Sequence, residues 1–215
     1  MKKTSTLSEK ITAYSALAGS VVALAPAANA QIVYTDINPD SVFTNPGSFD
    51  IDINNDAVND FQFNFSKQLS TGTYSFSYTS SYGMIYYSSM TNRLGVTPLG
   101  TTGNQILGNS SYNPTALSFN APITASQSYW RGYSNQLLAS YYKWDISGTY
   151  NGASISYSSS YSYGNFPNTT NKYLGVRIVV NTDTLYGWIR LDVSGGVNNY
   201  TIKDYAYQST PGVGI

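Results

Sequence analysis

The stretch Tyr173–Val193 constrains this chain most. It reads YLGVRIVV, then NTDT, then LYGWIRLDV. Two runs rich in β-branched and aromatic residues flank a short polar turn, which is the pattern of a β-hairpin. A turn centred on Thr182-Asp183 sets Val180 opposite Leu185, Ile178 opposite Gly187, Val176 opposite Ile189 and Leu174 opposite Leu191. These residues form one apolar face. The other face pairs Val179 with Tyr186, Arg177 with Trp188, Gly175 with Arg190 and Tyr173 with Asp192, so Arg177 is expected to stack on Trp188. A slip of one residue would mix the two faces, so the pattern is expected to specify its own register. The hairpin is expected at the centre of a β-sheet core.

The remaining runs have the same period. Phe61, Phe63 and Phe65 alternate with Gln62 and Asn64, as in a half-buried strand. Tyr74, Phe76 and Tyr78 alternate with Ser75 and Ser77. Ile155, Tyr157, Tyr161 and Tyr163 alternate with serines, giving antiparallel strands with one aromatic face. QIVYT at Gln31–Thr35 reads as an edge strand, YYKWDI at Tyr141–Ile146 as another strand, and YTIKDYAY at Tyr200–Tyr207 as the last. Residues 95–122 are broken by Gly, Pro and Asn and read as loop. Between Tyr129 and Tyr142, the spacing of Trp130, Tyr133, Leu137 and Tyr141 fits a short helix and a strand equally. Eight to twelve strands with little helix predict an all-β fold, an antiparallel β-sandwich of jelly-roll type.

Residues 1–30 carry Lys2, Lys3 and Lys10, an apolar run over 11–27 and Ala28-Asn29-Ala30. That is the form of a cleavable secretory signal peptide, and it places the mature protein outside the cell or at its surface. Residues 31–215 are then expected as a single domain with no membrane-spanning segment. The chain has no Cys and no His, and its one Glu is Glu9. Ser-His-Asp and Cys-His machinery is thereby excluded, and zinc loses its usual ligands. The near-neutral charge gives no basic field for nucleic acid.

Three constellations carry candidate chemistry. In FDIDINNDAVNDF, Asp52, Asn54, Asp56, Val58 and Asp60 occupy positions 1, 3, 5, 7 and 9 of a calcium-binding loop, Val58 through its carbonyl. Calcium is the expected ion. Position 6 is Ala57, where a left-handed backbone costs about 1–2 kcal/mol in a non-glycine residue. The alternative is a solvated Asn/Asp turn. Trp130, Arg131, Tyr133, Tyr142 and Trp144 form a candidate platform on which sugar rings stack, with core packing as the alternative. Asp145, Asp192 and Asp204 are the carboxylates available for glycoside hydrolysis, with Asp192 also explained as a partner of Arg190 or Lys203.

Three pieces of the chain together resemble a family of exported bacterial proteins of unknown function. Some of these carry a C-terminal sorting tag of the PEP-CTERM kind and others carry different secretion tags. The pieces are QIVYTDINPD at 31–40, the DIDINNDAVNDF loop, and YLGVRIVVNTDTLYGWIRLDV followed by TIKDYAYQSTPG. The resemblance covers both ends of residues 31–215 and omits about 67–165. It implies a secreted β-rich fold and no established activity. The loop of that family usually carries Gly where this chain has Ala57. The expected function is that of an exported, non-catalytic structural or adhesive surface protein, calcium-stabilised and self-associating. A carbohydrate-binding module and an Asp-dependent glycan-active enzyme are the alternatives. The expected partners are further copies of the chain or surface glycans.

Overall fold

Among the described residues the chain forms twelve strands in two antiparallel sheets, a β-sandwich. The computed structural model describes residues 31–78, 80–100 and 103–215. The expected signal peptide at 1–30 lies outside them. Among the described residues there is no helix, so the stretch from 129 to 142 resolves as strand and turn.

The first sheet contains β1 (Ile32–Phe43), β12 (Tyr200–Gln208), β11 (Asp183–Val193), β10 (Thr169–Val180), β5 (Gln105–Leu107) and β7 (Trp130–Arg131), in that spatial order. A short β6 (Ala116–Leu117) also pairs with β10. The second sheet orders β2 (Gly47–Ile51), β3 (Phe61–Tyr78), β4 (Ser81–Pro98), β8 (Gln136–Tyr150) and β9 (Ala153–Gly164).

The hairpin β10–β11 sits inside the first sheet as expected, in a register two residues from the predicted one. Val180 pairs with Asp183, Ile178 with Leu185, Val176 with Gly187 and Leu174 with Ile189. The turn is the tighter pair Asn181-Thr182, with Asn181 in the left-handed region at φ 57°. Two-residue loops match strand twist best, and Asn tolerates the conformation they need. A shift of two leaves each residue on its face, so Leu174, Val176, Ile178, Leu185, Ile189 and Leu191 are all buried. It does change cross-strand partners. Arg177 lies opposite Tyr186 and Trp188 opposite Gly175, so the expected Arg177–Trp188 stack does not form. The Arg177 guanidinium sits 5.5 Å from the Trp130 ring instead.

This apolar face packs against Ile51, Phe61, Phe63, Phe65, Leu94, Val96 and Leu138 of the second sheet. Burying each large apolar side chain contributes about 1.5–3 kcal/mol. At one end of the core, Tyr200 stacks on Phe43 at 4.6 Å and on Phe63 at 6.0 Å, and meets Phe65 edge-on at 5.5 Å. One ring thereby joins the two sheets.

The layers differ in length. β3 and β4 have 18 residues each, and β12 has nine. At about 3.4 Å per residue the long strands reach about 60 Å and β12 about 30 Å. Beyond Ser66 on β3 and before Asn92 on β4, the second sheet continues without the first, as a four-stranded extension exposed on both faces. The sequence changes there too. Val and Leu give way to Ser, Thr and Tyr, which cannot support a second apolar layer.

Candidate functional site

The extension consists of the distal parts of β3 and β4, with β8 from Tyr142 onward and β9. Pairing is unbroken from Phe61 to Tyr78 against Pro98 to Ser81, and from Ala139 to Tyr150 against Gly164 to Ala153. With no bulge in either ladder, side chains separate cleanly by parity.

One face is aromatic and continues the outside of the sandwich. Successive rows across it read Gly72, Tyr87, Ile146, Tyr157; then Ser70, Ser89, Trp144, Ser159; then Gln68, Thr91, Tyr142, Tyr161. Tyr142 stacks on Tyr161 at 4.9 Å, Trp144 meets Tyr157 edge-on at 5.5 Å, and Tyr161 meets Tyr163 at 5.1 Å. At the tip, Phe76 lies 6.0 Å from Tyr74 and 5.9 Å from Tyr150. These rings remain wet, with Tyr157 54% and Tyr163 60% exposed.

The opposite face continues the core-facing side and is rich in hydroxyls. Its rows read Thr71, Ser88, Asp145, Ser158; then Thr73, Tyr86, Ser147, Ser156; then Ser75, Met84, Thr149, Ser154. An open depression of about 460 Å³ is lined by Thr71, Thr73, Tyr86, Ser88, Asp145 and Ser147. Besides Lys67 at its base, which donates to the Thr44 carbonyl at 2.7 Å, the extension carries the charged residues Lys143 and Asp145. They pair at 2.9 Å, and Ser158 donates to Asp145 at 2.6 Å. The Ser158 hydroxyl, then Lys143, hold the Asp145 carboxyl below its ordinary range.

The expected sugar platform is divided. Tyr142 and Trp144 belong to the aromatic face of the extension. Trp130 and Arg131 lie on β7 at the edge of the first sheet, where Trp130 packs 5.7 Å from Tyr186 and Arg131 lies 4.2 Å from the Tyr112 ring. Tyr133 is tied there by donating to the Tyr112 carbonyl. The helical spacing of Trp130, Tyr133, Leu137 and Tyr141 has no helix to express it, since among the described residues this stretch is strand and turn.

The acidic loop joins β2 to β3 and is closed by its own hydrogen bonds. Asp52 accepts from the backbone of Asp56 at 3.2 Å and of Ala57 at 2.8 Å, and Asp56 accepts from Val58 at 2.9 Å. The Asn54 amide donates to Asp56 at 2.9 Å. Ala57 does take the left-handed conformation, at φ 68°, as does Asn55 at φ 58°. Asp60 turns inward and is 6% exposed. It accepts from the Ile53 backbone at 2.9 Å and from Asn104 at 3.1 Å. Burial pushes its carboxyl above the ordinary range, partly opposed by these two bonds. Asn104 also accepts from the Val179 N–H at 2.8 Å, so it links the loop to the central hairpin.

The other two carboxylates singled out from sequence are ion-paired. Asp192 meets Lys203 at 2.8 Å and accepts from the Asn171 backbone at 2.6 Å. Asp204, 2% exposed, takes both arms of Arg190 and the Tyr34 hydroxyl at 2.8 Å. Asn92, Asn104 and the Tyr34–Asp204–Arg190 cluster were not marked by sequence. Their partners lie far along the chain, and a lone Asn or Tyr carries no local signal of burial.

Among the described residues no helix is long and apolar enough to cross a membrane. Comparison with family models, with curated proteins and with solved structures found no match.

Proposed function

We propose that this is an exported, non-catalytic structural or adhesive protein that works through its single-layer extension. The observation that carries this reading is the extension itself, a long sheet wet on both faces with an aromatic row on one side. A soluble monomer seldom leaves so much aromatic surface in water without a use for it. Export is supported by the leader-like residues 1–30 and by the family resemblance. The ion-paired states of Asp145, Asp192 and Asp204 favour structural roles over acid–base catalysis. Calcium at Asp52, Asn54, Asp56, Val58 and Asp60 belongs to the same proposal, as a rigidifying ion at the base of β3.

A glycan is the adhesive target with the best chemical fit. Tyr142, Trp144, Tyr157 and Tyr161 offer ring faces and edges with hydroxyls beside them, which suits polyol rings. The test is retention of residues 31–215 on insoluble glycans and on uncharged polymer beads. Changing those four residues together to Ser is expected to weaken retention by about tenfold or more while the melting temperature stays within a few degrees. Unchanged retention would overturn the reading.

A further inference from the structure

The two open edges of the extension are chemically and geometrically matched to each other. Among the described residues, β2 covers β3 only from Phe61 to Phe65, and no strand pairs with the outer side of β9. Exposed edges are normally protected by charge, proline, a bulge or a covering segment. Here the open β3 edge carries one charge, Lys67 at its inner end, while Gln68–Tyr78 and Ala153–Gly164 contain no charged residue and no proline, and their ladders are free of bulges. The two free lengths are nearly equal.

Direction matters as well. Four antiparallel strands place β3 and β9 in opposite senses, so a copy moved sideways in the plane of the sheet presents β3 antiparallel to β9 of its neighbour. Following the register through β4 and β8 puts Ser75 level with Ser154, Thr73 with Ser156 and Thr71 with Ser158. The same step brings Tyr74 level with Ile155 and Gly72 with Tyr157. Hydroxyl rows meet hydroxyl rows, and the aromatic face runs on unbroken. About ten backbone hydrogen bonds become available along such an edge.

We infer that the occupant of each edge is a second copy of this chain, β9 of one pairing with β3 of the next. The contact is head-to-tail. It leaves a free β3 at one end and a free β9 at the other, so it grows as an open sheet rather than closing as a dimer. This rests on the adhesive reading of the extension and names its partner.

The experiment uses residues 31–215 and two edge-blocked variants, Ser156→Lys/Ser160→Lys on β9 and Ser75→Lys/Ser77→Lys on β3. All four positions are exposed. Circular dichroism and thermal melting confirm that each variant folds; if a Lys pair prevents folding, Ser156→Glu/Ser160→Glu or Ser75→Glu/Ser77→Glu replaces it. Sedimentation across a concentration series should show open-ended growth for the unaltered chain and monomers for each variant alone. Mixing the two variants should give a one-to-one dimer, because each retains the edge that the other lacks. An unaltered chain that stays monomeric overturns the inference, and glycan retention by that monomer would still uphold the adhesive reading. A dimer that stops at two and is lost only on blocking β9 overturns it also, since that marks β9–β9 pairing.

Discussion

The Asn92 amide of β4 reaches the Asn198 side chain at 3.1 Å and the Gly196 carbonyl at 2.9 Å, both in the turn between β11 and β12. Asn92 is fully buried, and it stands where the first sheet ends and the extension begins. Asn92→Ala strands two acceptors and opens that end of the core. The expected loss is about 2 kcal/mol, read by urea denaturation at constant m-value.

Two phenylalanines on one strand separate the regions energetically. Phe63 is fully buried between the sheets, whereas Phe76 packs beside Tyr74, Tyr150 and Gly83 on a wet face. Phe63→Ala is expected to cost about 3–5 kcal/mol and Phe76→Ala about 1 kcal/mol. Equal costs in thermal or urea melts would mean that the extension is packed like the core.

Ala57 holds a left-handed backbone at φ 68° without being glycine. Ala57→Gly relieves about 1–2 kcal/mol of strain and returns part of it as unfolded-state entropy, for a net gain of about 0.5–1 kcal/mol. Melting in EDTA and in millimolar calcium tests the ion. A site filled to a hundred times its dissociation constant adds about 2.7 kcal/mol, and Asp56→Ala is expected to abolish that gain.

Partial burial, the hydrogen bond to Asp204 and the charges of Asp204 and Asp36 push the Tyr34 phenol up to about 12 from 10.0. The folded pKa is raised, so the associated stability is complete below about pH 10 and is lost as pH rises towards 12. The difference in unfolding free energy between the unaltered chain and Tyr34→Phe should be flat below that window and shrink within it.

Much of the sandwich was legible in the sequence because a period of two with apolar parity leaves few alternatives. Tyr173–Val193, Phe61–Phe65 and Tyr200–Tyr207 all read as strands, and all three are strands that line the core. Faces were easier to read than partners. A two-residue change in the hairpin turn preserved every buried position and still moved Arg177 from Trp188 to Trp130. The Ser/Tyr runs announced an aromatic face, but parity alone does not tell whether a second layer covers it. The signal lay in the other parity. On that parity Thr71, Thr73, Ser75 and the alternate serines Ser154, Ser156, Ser158, Ser160 and Ser162 leave only scattered apolar side chains such as Leu69 and Met84, too few to hold a second layer. The five-residue platform is divided because Trp130 and Arg131 fall at the edge of one sheet and Tyr142 and Trp144 on the other, a separation that nearness in sequence does not reveal.

Hydrogen exchange tests the central claim most directly. At a dilution where residues 31–215 are monomeric, the amides of Tyr82–Met90 on β4 and Lys143–Thr149 on β8 should be protected, since both are inner strands of the extension. Alternate amides of Gln68–Ser77 and of Ser154–Ser162 should exchange fast. At high concentration those same alternate amides should become protected, with no change in β10 to β12. Fast exchange throughout Tyr82–Met90 in the monomer would contradict an ordered extension. Edge amides that stay unprotected in the associated state would contradict its use as the joining surface.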